Sequence, residues 1–225
     1  SANHNGSIDT GIETIKAAKK AGANCVKLQT YTADTITLNH KSDHFKITQG
    51  TIWDGEYLHD LYKTAFTPWE WHEKLFKTCY EEGLVSFSSP FDITAVDFLE
   101  NLDVPAYKIA SFEITDIPLI EYTAAKLKPM IISTGIAEIE DIQLAVDACR
   151  NVGNNEIALL KCTSSYPAPL EEANLAMIQD LAERFDVISG LSDHTMGSIA
   201  PIASIALGGK IIEKHFILDK SIGGQ

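Results

Sequence analysis

Basic residues are scarce: 18 Lys and Arg stand against 31 Asp and Glu, giving a net charge of −13 and a pI near 4.9. Nucleic acids and anionic membranes bind to basic faces, so neither is an expected partner, although a local basic pocket inside an acidic chain is still allowed. Cysteine is sparse too. Cys25, Cys79, Cys149 and Cys162 form no C-x-x-C pair, which argues against a zinc or dithiol motif and for reduced thiols in a cytoplasmic protein. No apolar run approaches the roughly 20 residues of a membrane span, and no charged-then-apolar leader opens the chain, so a soluble protein is expected. Neither G-x-G-x-x-G nor G-x-x-x-x-G-K-[ST] follows any apolar run, which removes the two common nucleotide-binding signatures. What is present is a chain of 225 residues, 45% hydrophobic and 22% charged, in the range of one compact α/β domain over residues 1–225.

Seven short apolar runs recur, each followed by an amphipathic stretch with helical spacing. They predict strands at Cys25–Thr30, Leu84–Ser88, Ala106–Ala110, Met130–Ser133, Ile157–Cys162, Val187–Ser192 and Lys210–Glu213. Helices are predicted from Asp9 to Ala21, from Thr67 to near Gly83, from Asp92, from Asp116, from Glu138 to Asn151, from Asn174, and from Ser198 to Leu207. Thr67-Pro68-Trp69-Glu70 reads as a helix start, with Thr67 capping and Pro68 in the first turn. Strands alternating with helices in this way build parallel βαβ units, and the fold class expected is an α/β (β/α)8 TIM barrel that lacks its first strand and last helix. An open doubly wound sheet is the alternative. The stretch from Tyr31 to Phe66 is the longest interruption, and excursions of that length are usually functional or an oligomer contact.

In a parallel barrel every strand C-terminus opens on one face, so residues distant in sequence converge there. His194 and His215 follow consecutive strands and would sit side by side, where two imidazoles suit a divalent metal acting as a Lewis acid, although spacing alone favours two hydrogen-bonded rim histidines. Lys27, Lys108, Lys161 and Lys214 fall in or beside strands. A lysine pointing into such a pocket must be paired, most simply with an anion, and Lys27 and Lys108 are the stronger candidates because Gln29 and Ser111 follow them. Ser89, Ser111, Ser133, Ser164 and Ser192 add hydroxyl donors of the kind that hold phosphate or carboxylate. Glu113 could be a general acid or base, or a helix-start residue opposing a dipole. Tyr166 could bond a polyol or pack over the rim, and Cys162, with no histidine adjoining it in sequence, reads as a buried thiol.

Taken in order, Ser1-Ala2-Asn3-His4-Asn5-Gly6, Val26-Lys27-Leu28-Gln29-Thr30, Phe87-Ser88-Ser89-Pro90-Phe91-Asp92, Tyr107-Lys108-Ile109-Ala110-Ser111-Phe112-Glu113, Ser133-Thr134-Gly135, Lys161-Cys162-Thr163-Ser164-Ser165-Tyr166-Pro167, Gly190-Leu191-Ser192-Asp193-His194 and Ile212-Glu213-Lys214-His215-Phe216 resemble the sialic acid synthase family over essentially the whole chain. The opening segment, Thr51-Ile52-Trp53-Asp54-Gly55 and Thr67-Pro68-Trp69-Glu70-Trp71-His72 look most like its pseudaminic acid synthase branch. The resemblance implies a transferase of carbohydrate biosynthesis that condenses phosphoenolpyruvate with an open-chain acetamido sugar, forming a nine-carbon 2-keto acid and releasing phosphate. It places Lys27, Ser89, Lys108, Ser111, Ser133, Ser164 and Ser192 around phosphoenolpyruvate, with Lys108 and Glu113 in the chemistry. It gives Gln29, Glu113 and Tyr166 to the sugar and His194 and His215 to a divalent metal, manganese in the first instance with magnesium or cobalt as alternatives.

The family's first-strand glutamate and its C-terminal antifreeze-like domain, which implies a homodimer in the full-length form, lie outside the 225 residues. The expectation is therefore weak activity for the 225-residue chain by itself. Competing readings are an N-acetylneuraminate or legionaminic acid synthase, a synthase of seven- or eight-carbon keto-sugar acid phosphates, and a non-catalytic sugar-binding barrel descended from a synthase. The second of these needs an arginine-rich site for a sugar phosphate, and the strand ends carry no arginine.

Overall fold

The structure is a computed structural model, and it describes residues 2–48 and 53–219. The chain divides into two compact units, Ser1–Asp103 with Phe216–Gly224, and Val104–His215. Thr51 and Ile52 of the family-like stretch before Trp53 lie outside the described residues.

In the first unit, α1 (Ile8–Lys20) opens at Ser7, whose hydroxyl accepts from the Thr10 N–H at 3.3 Å, satisfying one of the donors a helix start leaves over. Strand β1 (Cys25–Thr30) follows. The excursion after it contains two short helices, α2 (Ala33–Ile36) and α3 (Leu58–Ala65). Then come α4 (His72–Glu81), β2 (Val85–Pro90) and α5 (Ile93–Asn101), the last capped by Asp92. The expected Thr67 cap is not formed. A 3-10 turn at Trp69–Trp71 precedes α4, Pro68 stands at its start, and no side chain caps it. Trp69 is fixed instead by tertiary contacts, its Nε1–H donating to the Tyr31 carbonyl at 3.2 Å and its ring lying 4.8 Å from that of Phe98.

Strands β1 and β2 are parallel, in a register that sets Lys27 opposite Phe87 and Gln29 opposite Ser89. Side chains alternate across a strand. Val26 and Leu28 pack with Ile15, Leu75, Cys79 and Leu84 under the helices. Thr30 and Ser88 join His72 on that same helix-facing side, with Thr30 Oγ1 2.8 Å from His72 Nε2 and 2.7 Å from Ser88 Oγ. Lys27, Gln29 and Ser89 consequently project from the other face.

The second unit alternates without interruption: β3 (Tyr107–Ile109), α6 (Ile117–Ala124), β4 (Met130–Ser133), α7 (Ile139–Asn151), β5 (Ile157–Cys162), α8 (Met177–Phe185), β6 (Ile188–Asp193), α9 (Ile199–Ala206) and β7 (Ile211–Lys214). Each strand pairs in parallel with the next in chain order. The boundaries expected from sequence hold to within a residue or two for most strands. A 3-10 turn at Ser111–Thr115, unforeseen, separates β3 from α6.

The apolar core of this unit lies on the helix-facing side of the sheet, opposite the face that carries Lys108 and Ser133. Tyr107, Ile109, Met130, Ile132 and Leu159 have no solvent exposure, nor do Ile120, Ala145, Val146 and Cys149 beneath the helices. Burying an aliphatic side chain of this size contributes about 1.5–3 kcal/mol. Asn154 ties the layers where apolar contact cannot, donating to Ala124 and Lys128 carbonyls at 3.1 and 2.8 Å. Gly190 lets β6 approach β7: a Cβ there would lie 2.2 Å from the Ile211 carbonyl oxygen.

Candidate active site

The alternation of the strands in the second unit sorts its polar residues into two sets. Lys161, Asp193 and Lys214 fall on one side and serve the scaffold. Lys161 Nζ donates to the Cys162 carbonyl at 2.8 Å and to Thr163 Oγ1 at 3.0 Å, while Lys214 pairs with Asp193 and donates to the Thr195 carbonyl at 2.7 Å. Lys161, one of the four lysines noted at the strands, is thus held by main chain and Thr163 on the face opposite Lys108.

The other set comprises Lys108, Ser133, Cys162, Ser164, Ser192, His194, Glu213 and His215, two residues apart on each strand and its extension. Lys108 is 1% exposed. Its ammonium donates to the Ile109 carbonyl at 2.8 Å and to Ser133 Oγ at 2.6 Å, with Glu213 Oε1 at 3.9 Å. A buried ammonium is stable only with compensating anionic and hydrogen-bonding partners, so this lysine draws negative charge to its surroundings. Ser192 Oγ donates to Glu213 Oε1 at 2.9 Å.

Ser111, at the end of β3, meets Ser164 beyond β5, whose hydroxyl donates to Ser111 Oγ at 3.2 Å. Gly135 makes that meeting feasible, since a Cβ on it would fall 2.2 Å from Ser164 Oγ and 3.0 Å from Ser111 Oγ. Cys162 lies 3.5 Å from Ser111 and 3.8 Å from His194 Nδ1. The thiol is buried, as expected, and a histidine distant in sequence adjoins it in space. Burial pushes the thiol up, but hydrogen bonds from His194, Ser111 and Ser164 and the charge of His194 outweigh it and bring the group down to about 7.

His194 and His215 are neighbours, with ring centroids 5.3 Å apart, and the Tyr166 ring lies 4.2 Å from the first and 5.7 Å from the second. His194 Nδ1 sits 2.8 Å from the Thr163 carbonyl. A carbonyl only accepts, so Nδ1 carries the proton and Nε2 is left as a lone-pair donor. Burial lowers the imidazole's basicity, yet bonds to Cys162 and Thr163 and the charge of Glu213 outweigh it and raise the group. Burial also lifts the Tyr166 phenol to about 12, aided by the charges of Cys162 and Glu213.

Glu113 stands in the 3-10 turn after β3. Desolvation lifts its carboxyl to about 7, against the opposing pull of its own backbone and of Lys108, and its Oε2 is buried with no hydrogen-bond partner among the described residues.

The structure thus brings together Lys108, Ser111, Ser133, Ser164, Tyr166, Ser192, His194 and His215 within one unit, with Glu113 coupled to Lys108 by charge. Lys27, Gln29 and Ser89 share one face of the first unit, and Ser89 Oγ is likewise buried with no partner among the described residues. Glu213 is the residue that sequence reasoning missed as a site member. Its signal was present: it precedes His215 by two positions in a strand, as Ser192 precedes His194. No cluster of three or more His, Cys, Asp or Glu able to hold a metal occurs among the described residues. The two-histidine arrangement nevertheless fits a divalent cation, because the Thr163 bond fixes His194 in the ligating tautomer, the arrangement of a metal-site histidine.

No helix among the described residues is long and apolar enough to cross a membrane. Residues 14–225 match the NeuB family. The chain is 52% identical over 222 residues to pseudaminic acid synthase of Helicobacter pylori, covering 99% of this chain and 65% of that protein. It is 48% identical over 225 residues to pseudaminic acid synthase of Campylobacter jejuni, covering all of this chain and 65% of the relative. The chain so spans just under two thirds of the length of these relatives. In three dimensions it resembles the N-acetylneuraminic acid synthetase of Leptospira borgpetersenii, solved with citrate, at a TM-score of 0.85 and 29% identity, over 98% of this chain and 72% of that one. The α/β fold expected from the sequence, of the (β/α)8 type, is borne out, and the chain belongs to the NeuB family.

Proposed function

We propose that this protein is a pseudaminic acid synthase type transferase, condensing phosphoenolpyruvate with an open-chain acetamido sugar to a nine-carbon 2-keto acid and releasing phosphate. The observation that carries the reading is the placement, on one face of one sheet, of a buried lysine bonded to a serine beside two histidines, one of them held in its ligating tautomer. Similarity to pseudaminic acid synthases along nearly the whole chain supports the choice of product class.

Lys108, Ser111, Ser133, Ser164 and Ser192 hold phosphoenolpyruvate and align its enol carbon, so that much of the barrier is removed by orientation and by preset donors. Lys27 and Ser89 are further proposed contacts of phosphoenolpyruvate, and Gln29, Glu113 and Tyr166 of the sugar. A divalent cation, manganese first among the candidates, would be held by His194 and His215 and would supply Lewis-acid polarisation of a carbonyl oxygen. Glu113, a carboxyl poised at about 7, is suited to two proton transfers. It gives its proton to the sugar's aldehyde oxygen as the enol carbon attacks C1, and as a carboxylate it takes one from the water that adds to C2. Collapse of the resulting tetrahedral carbon breaks its bond to the phosphate oxygen and leaves the keto group. A cytoplasmic homodimer is the assembly proposed for the full-length protein.

The experiment is phosphate release by the full-length protein, with manganese, phosphoenolpyruvate and acetamido hexoses bearing one or two acetamido groups. Phosphate release in step with a 2-keto acid nine carbons long is expected. Sugar binding without turnover would replace this reading with that of a non-catalytic barrel.

A further inference from the structure

Asp34 and His59 form a pair that the proposed chemistry leaves unused. His59, on the first turn of α3, is 3% exposed, whereas the Asp34 side chain is 82% exposed. His59 Nε2 and Asp34 Oδ1 are 2.8 Å apart. His59 Nδ1 is buried with no partner among the described residues. A carboxylate oxygen only accepts, so Nε2 carries a proton and donates it to Asp34.

A carboxylate on a surface turn is ordinarily mobile, and an exposed ion pair alone gives little reason to fix it. Here a fully buried imidazole fixes one oxygen and leaves the carboxylate's remaining acceptor capacity to solvent. The place is informative. Asp34 follows the C-terminal end of β1 by four residues, and β1 carries Lys27 and Gln29 on its helix-free face. Helix α3 is anchored over the same strand ends by aromatic contacts: the Tyr62 ring lies 5.6 Å from Tyr31, just past β1, and Tyr31 lies 5.4 Å from Phe91, just past β2. The carboxylate is thus held on the segment that leaves the C-terminal end of β1, the strand that carries Gln29.

We infer that Asp34 is a sugar-contacting, specificity-determining residue that accepts a hydrogen bond from an amide N–H or hydroxyl of the acetamido sugar, and that His59 is its positioning residue. A fixed acceptor distinguishes sugars that present a donor at one carbon from those that do not, since the mismatched sugar leaves a polar group unpaired. This inference rests on the synthase reading given above.

The test is steady-state kinetics of the full-length protein, varying each substrate separately. Asp34→Asn keeps an oxygen to accept from His59, so the α2–α3 contact survives while the charge is lost. Its KM for the sugar should rise at least about tenfold, with the KM for phosphoenolpyruvate at the wild-type value. His59→Phe should raise the sugar KM as well, and His59→Gln, which restores a donor, should recover part of the loss. An unchanged sugar KM in Asp34→Asn, or an equal rise for both substrates, would overturn the inference and leave the pair as a fastener between two short helices. If the wild type turns over no acetamido sugar, the synthase reading fails, and saturation-transfer NMR with the same sugars decides the inference separately. A weaker signal for Asp34→Asn than for wild type sustains it, and equal signals, or none for either, overturn it.

Discussion

The His194 imidazole donates Nδ1–H to the Thr163 carbonyl at 2.8 Å, 5.3 Å from the ring of His215. Because the acceptor is main chain, the tautomer is built into the fold and does not depend on a neighbour's protonation. Metal binding by this pair should therefore need both rings. Replacing either histidine by Ala should abolish the binding of one manganese ion per chain, read by electron paramagnetic resonance, and chelation should remove phosphate release from the wild type until manganese is restored. Stoichiometric manganese binding by a His215→Ala protein would move the metal elsewhere.

Lys108 is the residue on which the proposed anion site turns. Lys108→Met keeps much of the stem's volume but removes a charge-assisted contact of the kind worth about 1.5–3 kcal/mol, so affinity for phosphoenolpyruvate should fall roughly 10- to 150-fold by calorimetry. The variant should also unfold more readily, because Glu213 loses the cation 3.9 Å away. Wild-type affinity would show that Lys108 is a structural lysine.

The strands were legible because their branched apolar cores are buried on both faces, and the parity of each strand was legible once its ends were known. Lys108, Ser133, Ser192, His194 and His215 follow from that. What was not legible depended on contacts between elements. Glu213 was hidden in a run read for its lysine and histidine. Cys162 meets His194 only because β5 and β6 pair in a register that sets Cys162 beside Ser192. The Thr67 cap gave way to docking of Trp69 against Tyr31 and Phe98, a tertiary preference stronger than a local capping motif. The Asp34–His59 pair depends on the path of the excursion after β1, which no periodicity encodes.

Gly135 can be tested without touching a proposed contact. An alanine methyl would lie 2.2 Å from Ser164 Oγ, shorter than any real contact, and a tight 3.0 Å from Ser111 Oγ, so Ser164 Oγ must shift from its place beside Ser111. Gly135→Ala should raise the KM for phosphoenolpyruvate about tenfold or more while far-ultraviolet circular dichroism stays that of the wild type. A KM unchanged from wild type would show that the Ser111–Ser164 bond does not shape the anion site.

Glu113 makes the last prediction, through the sign of its pH dependence. Its carboxyl lies at about 7 in the folded chain against an ordinary 4.5, chiefly through desolvation. Below 4.5 both folded and unfolded chains hold the proton and the group's contribution to stability is fully present. Between 4.5 and about 7 the unfolded chain releases its proton while the folded chain retains it, so stability falls as pH rises, and above 7 the loss is complete. The gap corresponds to roughly 3 kcal/mol as an upper figure. Glu113→Gln keeps the shape and cannot ionise, so its advantage over wild type in urea unfolding should be small at pH 4.5 and larger at pH 8. The same variant should lose phosphate release by roughly 10²–10⁴-fold at every pH, the range of a positioned general acid–base group. A stability difference that does not change with pH would place the Glu113 carboxyl back at its ordinary value, and with it would go the argument that this residue both gives and takes the proton.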